Sequence, residues 1–240
     1  MRSVIITQSN YIPWKGYFDA LALADICILL DEVQYTRRDW RNRNRIKTTQ
    51  GVQWLTIPVQ VKGKYDQRID ETIVSDPHWA ENHWQQIVHA YSKSAAFSHY
   101  GPAIQTLYQT IPSTRLSEIN RHFLLGLSKL LGFEPHLRWS TEFEKRNSKT
   151  ERLVDICKAV GATRYLTGPS AKGYLDESQF TRYGIEVEYL DYSGYTEYPQ
   201  PYPPFIHEVS TIDLLLNTGA DAPNFMKHAK QKAVNSVKLL

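Results

Sequence analysis

Five consecutive apolar residues, Ile26-Cys27-Ile28-Leu29-Leu30, constrain the fold of this chain more than any other feature. An antiparallel strand with one wet face alternates apolar and polar residues, whereas unbroken apolarity marks a strand covered on both faces, as in a parallel sheet. The residues before the run fit that reading. The β-branched run at residues 3–7 reads as a first strand and stops at the polar turn Gln8-Ser9-Asn10-Tyr11-Ile12-Pro13. Pro13 pre-sets a helix start, and Phe18, Leu21 and Ala22 recur at helical spacing up to Ala24. The opening is therefore strand, loop, helix, strand, with Asp31 and Glu32 at the carboxyl end of the second strand, where open α/β sheets bind ligands.

Further along, residues 54–61 read as a strand that Pro58 confines to an edge or bulge, with residues 69–74 as its partner across the Lys62-Gly63-Lys64 turn. Helical periodicity then takes over at 78–91, 102–111 and 114–131, the last ending at Gly132. Strand and helix patterns alternate again from residue 135: strands at 135–139, 163–167 and 185–190, helices at 149–160 and 173–180. This alternation predicts an α/β fold with a mostly parallel, Rossmann-like sheet flanked by helices and a central helical insertion at about 76–132, all within one domain spanning 1–240. The Tyr- and Pro-rich stretch 192–205 reads as an ordered loop, the segment 209–217 as a last helix closed by Gly219, and the basic residues after Asn224 as a fraying end.

Composition excludes several classes. With 240 residues, 42% hydrophobic and 22% charged, the chain can bury a substantial core and is not of disordered type. No apolar run approaches the ~20 residues needed to span a bilayer. Residues 1–7 read as a strand start rather than a secretion signal, and Cys27 and Cys157 sit in apolar segments as buried thiols, so a cytoplasmic location is expected. A net charge of +3 is too small to imply nucleic-acid binding, although Arg37, Arg38, Arg41, Arg43 and Arg45 crowd one stretch beside Tyr35 and Trp40.

Three polar loops are candidate sites, all expected at one sheet edge. The first, with Gln8, Asn10, Tyr11, Trp14 and Lys15, enters a helix N-terminus, where anions are favoured. The second runs from Asp31 through Gln34 to Trp40, Arg41, Asn42 and Arg43. An acid at a strand end can act as base or cation ligand, and guanidinium forks suit phosphate or carboxylate. The third holds Gly168, Ser170 and Lys172, without the glycine spacing of a Walker loop. Each has a bland alternative: turn chemistry for the first and third, a self-neutralising surface loop for the second. Asp31 and Lys15 are the candidate catalytic groups, and the remaining named residues candidate substrate contacts. His78 and His83 lack metal-ligand spacing, His207 reads as structural, and no pattern names a metal or other cofactor. Asp213 and Asn217 put a polar stripe on the last helix that either braces the loops or joins the site.

The motifs Gln8-x-Asn10-Tyr11-Ile12-Pro13-Trp14-x-Gly16-Tyr17-Phe18, Leu30-Asp31-Glu32-Val33-Gln34-Tyr35 and Trp40-Arg41-Asn42-Arg43 resemble the WbqC-like family. The likeness continues through 54–59, 84–91, 116–120, 163–175 and 210–219, in order and with the family's spacing. It implies a place in O-antigen-type surface-polysaccharide biosynthesis and a transferase acting on a nucleotide-activated or amino sugar, with acyl or aminoacyl transfer as one form. Members usually carry His-Gln-Pro-Asn where this chain has Thr7-Gln8-Ser9-Asn10, so a base or ligand supplied by that His is missing here. That departure favours the rival expectation, a noncatalytic sugar- or nucleotide-binding or scaffold protein. A single-stranded nucleic-acid binder is third. As a fold-level analogy, the opening also resembles HIGH-type nucleotidyltransferases, with Tyr17 in place of their second His.

Overall fold

The structure is a computed structural model, and it describes residues 1–146 and 148–229. Five parallel strands form the sheet: β1 (Ser3–Thr7), β2 (Ile26–Leu29), β5 (Leu137–Trp139), β6 (Arg164–Thr167) and β7 (Glu186–Tyr189), in the order β5-β2-β1-β6-β7. β3 (Arg43–Thr48) and β4 (Gly51–Thr56) pair as a separate antiparallel hairpin. The helices are α1 (Lys15–Leu23), α2 (Trp79–Tyr91), α3 (Phe97–Gln109), α4 (Leu116–Leu130), α5 (Lys149–Ala159), α6 (Glu177–Thr181) and α7 (Thr211–Thr218). α2, α3 and α4 follow one another between the hairpin and β5, forming the central helical insertion.

The unbroken apolarity of β2 now has its cause. Ile5, Cys27 and Leu29 face one core, which also takes in Phe18 and Leu21 of α1 and the apolar stripe of α4 at Leu116, Ile119, Phe123, Leu124 and Leu127. Val4, Ile6, Ile26 and Ile28 face the other, against Leu153, Val154, Ile156 and Cys157 of α5 and Phe180 of α6. Both faces are dry, so the period-2 signal disappears. Cys27 and Cys157 are buried thiols on opposite sides of the sheet.

The strand order contains a reversal. From β1 the chain builds outward through β2 to β5, then crosses back over α5 to lay β6 on the free side of β1, and continues to β7. Between β1 and β6 the connections leave in opposite directions, and a crevice opens at their carboxyl ends. Ligands of doubly wound sheets bind there.

Several sequence expectations need correction. β4 pairs with residues 43–48, not 69–74; the expected 54–61 and 69–74 pair reduces to the bridge Val59–Val74, supported by Gln60 N–H to Ile73 O at 2.9 Å. The strand at 43–48 went unforeseen because its charges read as a binding loop. α3 starts at Phe97, five residues before Pro102, which lies inside the helix and forgoes one backbone bond there. The helix expected at 173–180 is a 3-10 turn at 169–173 followed by α6. Of the basic end, residues 226–229 are tied down: buried Asp19 of α1 accepts the backbone N–H groups of Lys227, His228 and Ala229 at 2.7, 2.7 and 3.0 Å, and the Tyr195 hydroxyl at 2.8 Å. The remainder from 230 onward lies outside the described residues.

Candidate functional site

A cavity of about 500 Å³ occupies the crevice between β1 and β6. Thr7 and Gln8 at the end of β1 and Thr167, Gly168 and Ser170 at the end of β6 form its floor, with Tyr17, Tyr165, Tyr174 and Tyr192 around them. Among the described residues three cations line it, Arg41, Lys149 and Arg152, and no aspartate, glutamate or histidine does. Arg41 has an ion pair with Asp39 at 3.5 Å, whereas no described ion pair involves Lys149 or Arg152. A concave wall carrying one sign of charge concentrates field and draws ions of the other. An open groove holding Glu32, Gln34, Arg68, Lys145 and Arg146 adjoins the cavity, sharing Val33 and Arg152 with it.

The two loops that close the cavity are fixed from below by a buried network. Asp31 is 1% exposed. One of its oxygens accepts the Ser9 N–H at 2.8 Å and the other the Ser117 hydroxyl. Asn120 of α4 then donates its Nδ2 to Ser9 Oγ and to Arg41 O, each at 2.9 Å, joining the loop after β1 to the loop after β2. Burial holds Asp31 above its ordinary carboxylate value, against the opposing pull of the two serines and the Arg41 charge. Tyr11 is tied deeper still: its hydroxyl meets His83 Nδ1 at 2.9 Å and the Tyr108 hydroxyl at 2.7 Å, and its backbone N–H reaches Trp40 O at 3.0 Å. Between these anchors Ile12 is held at φ 37°. A β-branched residue in the left-handed region costs about 1–3 kcal/mol, and such strain gathers where a loop must present particular groups.

The structure thus sorts the residues singled out from the sequence. Gln8, Arg41, Gly168 and Ser170 meet in the switch-point cavity. Asn10, Trp14 and Trp40 line a smaller cleft on the other side of the loop. Gln34 lies in the adjoining groove, its Nε2 donating to Tyr65 O at 3.2 Å. Asp31 and Tyr11 are buried and do not line this cavity, while Asp31 borders a separate pocket of about 190 Å³ with Asp70, Arg115 and Ser117; Asn42, also buried, donates to Ile57 O at 2.8 Å and holds the chain entering and leaving the hairpin. Arg43 is on the hairpin, its guanidinium 4.0 Å from the Trp54 ring centre. Lys15 is 2% exposed, donates to Thr196 O at 2.8 Å, and stands over the rings of Tyr195 and Tyr198 at 5.2 and 5.1 Å; burial pushes its amine down to about 8. It does not line the cavity. Asp213 accepts Tyr91 and Tyr198 hydroxyls at 2.8 and 2.6 Å and Gln200 Nε2 at 2.8 Å, so the polar stripe of α7 braces the 192–205 loop.

Lys149 and Arg152 were not singled out from the sequence, where they are first-turn residues of a helix. The signal was present: a helix that follows one parallel strand and leads to the next begins at the carboxyl edge of the sheet, so its first turn faces that edge. Among the described residues no group of three or more His, Cys, Asp or Glu could hold a metal ion. No helix there is long and apolar enough to cross a membrane.

The model of the WbqC-like protein family matches residues 8–225, from the cavity floor through the last described turn. The chain belongs to the WbqC-like family. This WbqC-like chain is also 45% identical over 231 residues to an uncharacterized protein of Mycobacterium tuberculosis, Rv1507c, in an alignment covering 96% of this chain and all of that one. No solved structure matches it. Thr7, at the position where the family resemblance places a histidine, lines the switch-point cavity, so the departure falls within the candidate site.

Proposed function

We propose that this WbqC-like protein transfers a group to or from a nucleotide-activated or amino sugar of surface-polysaccharide biosynthesis, and that the switch-point cavity binds the phosphorylated part of that substrate. The observation that carries the reading is the cavity's charge: Arg41, Lys149 and Arg152 line it without a single carboxylate. A di- or monophosphate offers the matching anion, with Arg41 and Arg152 as forked donors and Lys149 as a compact charge. Thr7, Gln8, Thr167 and Ser170 add neutral hydrogen-bonding groups suited to ribose or sugar hydroxyls. Tyr174, 62% exposed, and Tyr192 offer aromatic faces to a base. Acyl or aminoacyl transfer to a sugar amine is one form this chemistry takes.

One observation favours a second reading, a noncatalytic nucleotide-sugar binder of the same pathway. The lining has no side chain that ordinarily serves as a general base near neutral pH, and Thr7 stands at the family's histidine position. Incubating the protein with nucleotide sugars, alone and with aminoacyl or acyl donors, separates the readings. A raised melting temperature with product formation supports transfer, and the same rise without turnover supports the binder. No response to any phosphorylated sugar rejects both.

A further inference from the structure

Beyond the switch-point cavity, a cleft of about 170 Å³ opens on the far side of the Asn10–Arg41 contact, lined by Asn10, Pro13, Trp14, Trp40, Asn44 and Glu208. Its chemistry is unlike that of its neighbour. Two indoles and a proline ring meet two carboxamides and one carboxylate, with no lysine or arginine of the described residues in the lining. Trp40 is 38% exposed, and Trp54 beside it, 5.4 Å between ring centres, is 41% exposed. Adjacent exposed tryptophans on a soluble surface mark an interaction site more often than chance.

We infer that this cleft is a second binding site, for one ring of an uncharged sugar. A pyranose has a face of C–H groups and a rim of hydroxyls. The exposed indole of Trp40 suits the face, and the rim needs both acceptors and donors. Glu208 supplies acceptors: its side chain is 67% exposed, and Arg45 stands 3.9 Å away, too far for a hydrogen bond. Asn10 supplies a donor: its Oδ1 is taken by Arg41, while its Nδ2 has no partner among the described residues. The volume is well below the roughly 300 Å³ at which drug-sized ligands are enclosed, so the cleft takes a single ring and not a nucleotide. A single-stranded nucleic acid is disfavoured because the nearby guanidiniums are engaged, Arg43 on Trp54, and Arg45 both donating to Glu208 O at 2.9 Å and ion-paired with the Glu208 carboxylate at 3.9 Å. As a sugar site the cleft stands alone; as the acceptor subsite of a transfer it rests on the proposed function, with the Asn10–Arg41 contact as the wall between acceptor and activated donor.

The test is saturation-transfer NMR on the full chain with the methyl glycosides of glucose, galactose, rhamnose and N-acetylglucosamine. Uridine diphosphate binding is measured on the same samples. At least one glycoside is expected to bind, and to weaken by about fivefold or more in Trp40→Ala, the low end for loss of one stacking ring. Glu208→Ala, a change at an exposed position that leaves the fold intact, is expected to weaken the same glycoside. Arg152→Ala is expected to leave glycoside binding unchanged. Undiminished binding in both Trp40→Ala and Glu208→Ala overturns the inference, as does the absence of binding by any glycoside. Displacement of the glycoside by a short oligothymidine that binds more tightly also overturns it. If diphosphate binding survives in Arg152→Ala while Trp40→Ala loses the glycoside, the anion reading of the large cavity fails and the sugar cleft stands.

Discussion

Arg41 donates its Nη1 to Asn10 Oδ1, a side-chain contact between the loop after β2 and the loop after β1 at the boundary between two cavities. The bond aims the guanidinium, which also lines the larger cavity. Asn10→Ala removes that guide without removing any charge. Affinity for a nucleoside diphosphate is expected to fall by about three- to tenfold, a partly exposed charged hydrogen bond being worth less than a buried one. Calorimetric titration of the variant checks it, and unchanged affinity would show that Arg41 is positioned by other means.

Asp31 supports the site without entering the cavity, and its replacement should register in stability first. Asp31→Ala strands the Ser9 N–H and the Ser117 hydroxyl in the interior, at a cost of about 3 kcal/mol, whereas Asp31→Asn keeps one acceptor and costs about 1 kcal/mol. Because burial raises its folded pKa above 3.8, the native state holds the proton more tightly than the unfolded chain does. That contribution is full below the ordinary carboxylate value and is lost as pH rises through the raised one. Denaturant titrations across this window should show the loss in the parent protein and not in Asp31→Asn.

Asp31 stands at the strand end where the residues around it place it, but its partners lie far along the chain. The frame from β1 through α1 to β2 was legible because burial on both faces leaves an unmistakable apolar run, and the later strand–helix alternation set the sheet class. What was not legible was long-range. An acid at a strand end is a site residue or a brace according to what faces it, and Ser117 lies 86 positions away. The strand at 43–48 alternates as a strand should, but buried Lys47 hides the pattern. Its amine is satisfied by Gln200 Oε1 at 2.7 Å and Pro204 O at 2.6 Å, groups about 150 residues distant. Arg45, one of the arginines crowded in that stretch, lies opposite Trp54 in the hairpin register and covers its indole.

His83 carries an acid-side stability dependence of opposite sign to Asp31. Burial lowers its pKa to about 4. Thr56 O at 3.2 Å takes the Nε2 proton, so the neutral ring accepts from the Tyr11 hydroxyl through Nδ1, and Tyr108 in turn donates to Tyr11. Above pH 6.5 neither state is charged. As pH falls from 6.5 toward 4 the unfolded chain takes up a proton that the native state refuses, and about 3 kcal/mol of stability is lost. The difference in unfolding free energy between the protein and His83→Gln, followed over this range, should change by about that amount; a flat difference rules the assignment out.

Gly16 is the second residue of α1 and sits beneath the Trp14 ring. A Cβ there would lie 2.3 Å from the indole, so Gly16→Ala must displace Trp14 from its edge contacts with Tyr192 and Tyr195, at 5.5 and 5.6 Å. In an open helix the same change gains about 1 kcal/mol, whereas here a loss of about 1–3 kcal/mol is expected. Thermal unfolding decides between the two signs.

In the proposed function, the crevice between β1 and β6 is an anion site built by Arg41, Lys149 and Arg152. Calorimetric titration of the parent protein, Lys149→Ala and Arg152→Ala with uridine diphosphate tests it most directly. We expect binding to the parent, and a weakening of about tenfold or more in each variant, since each removes a positive charge from the wall. Binding of equal strength in all three proteins, or no binding to the parent, would contradict it.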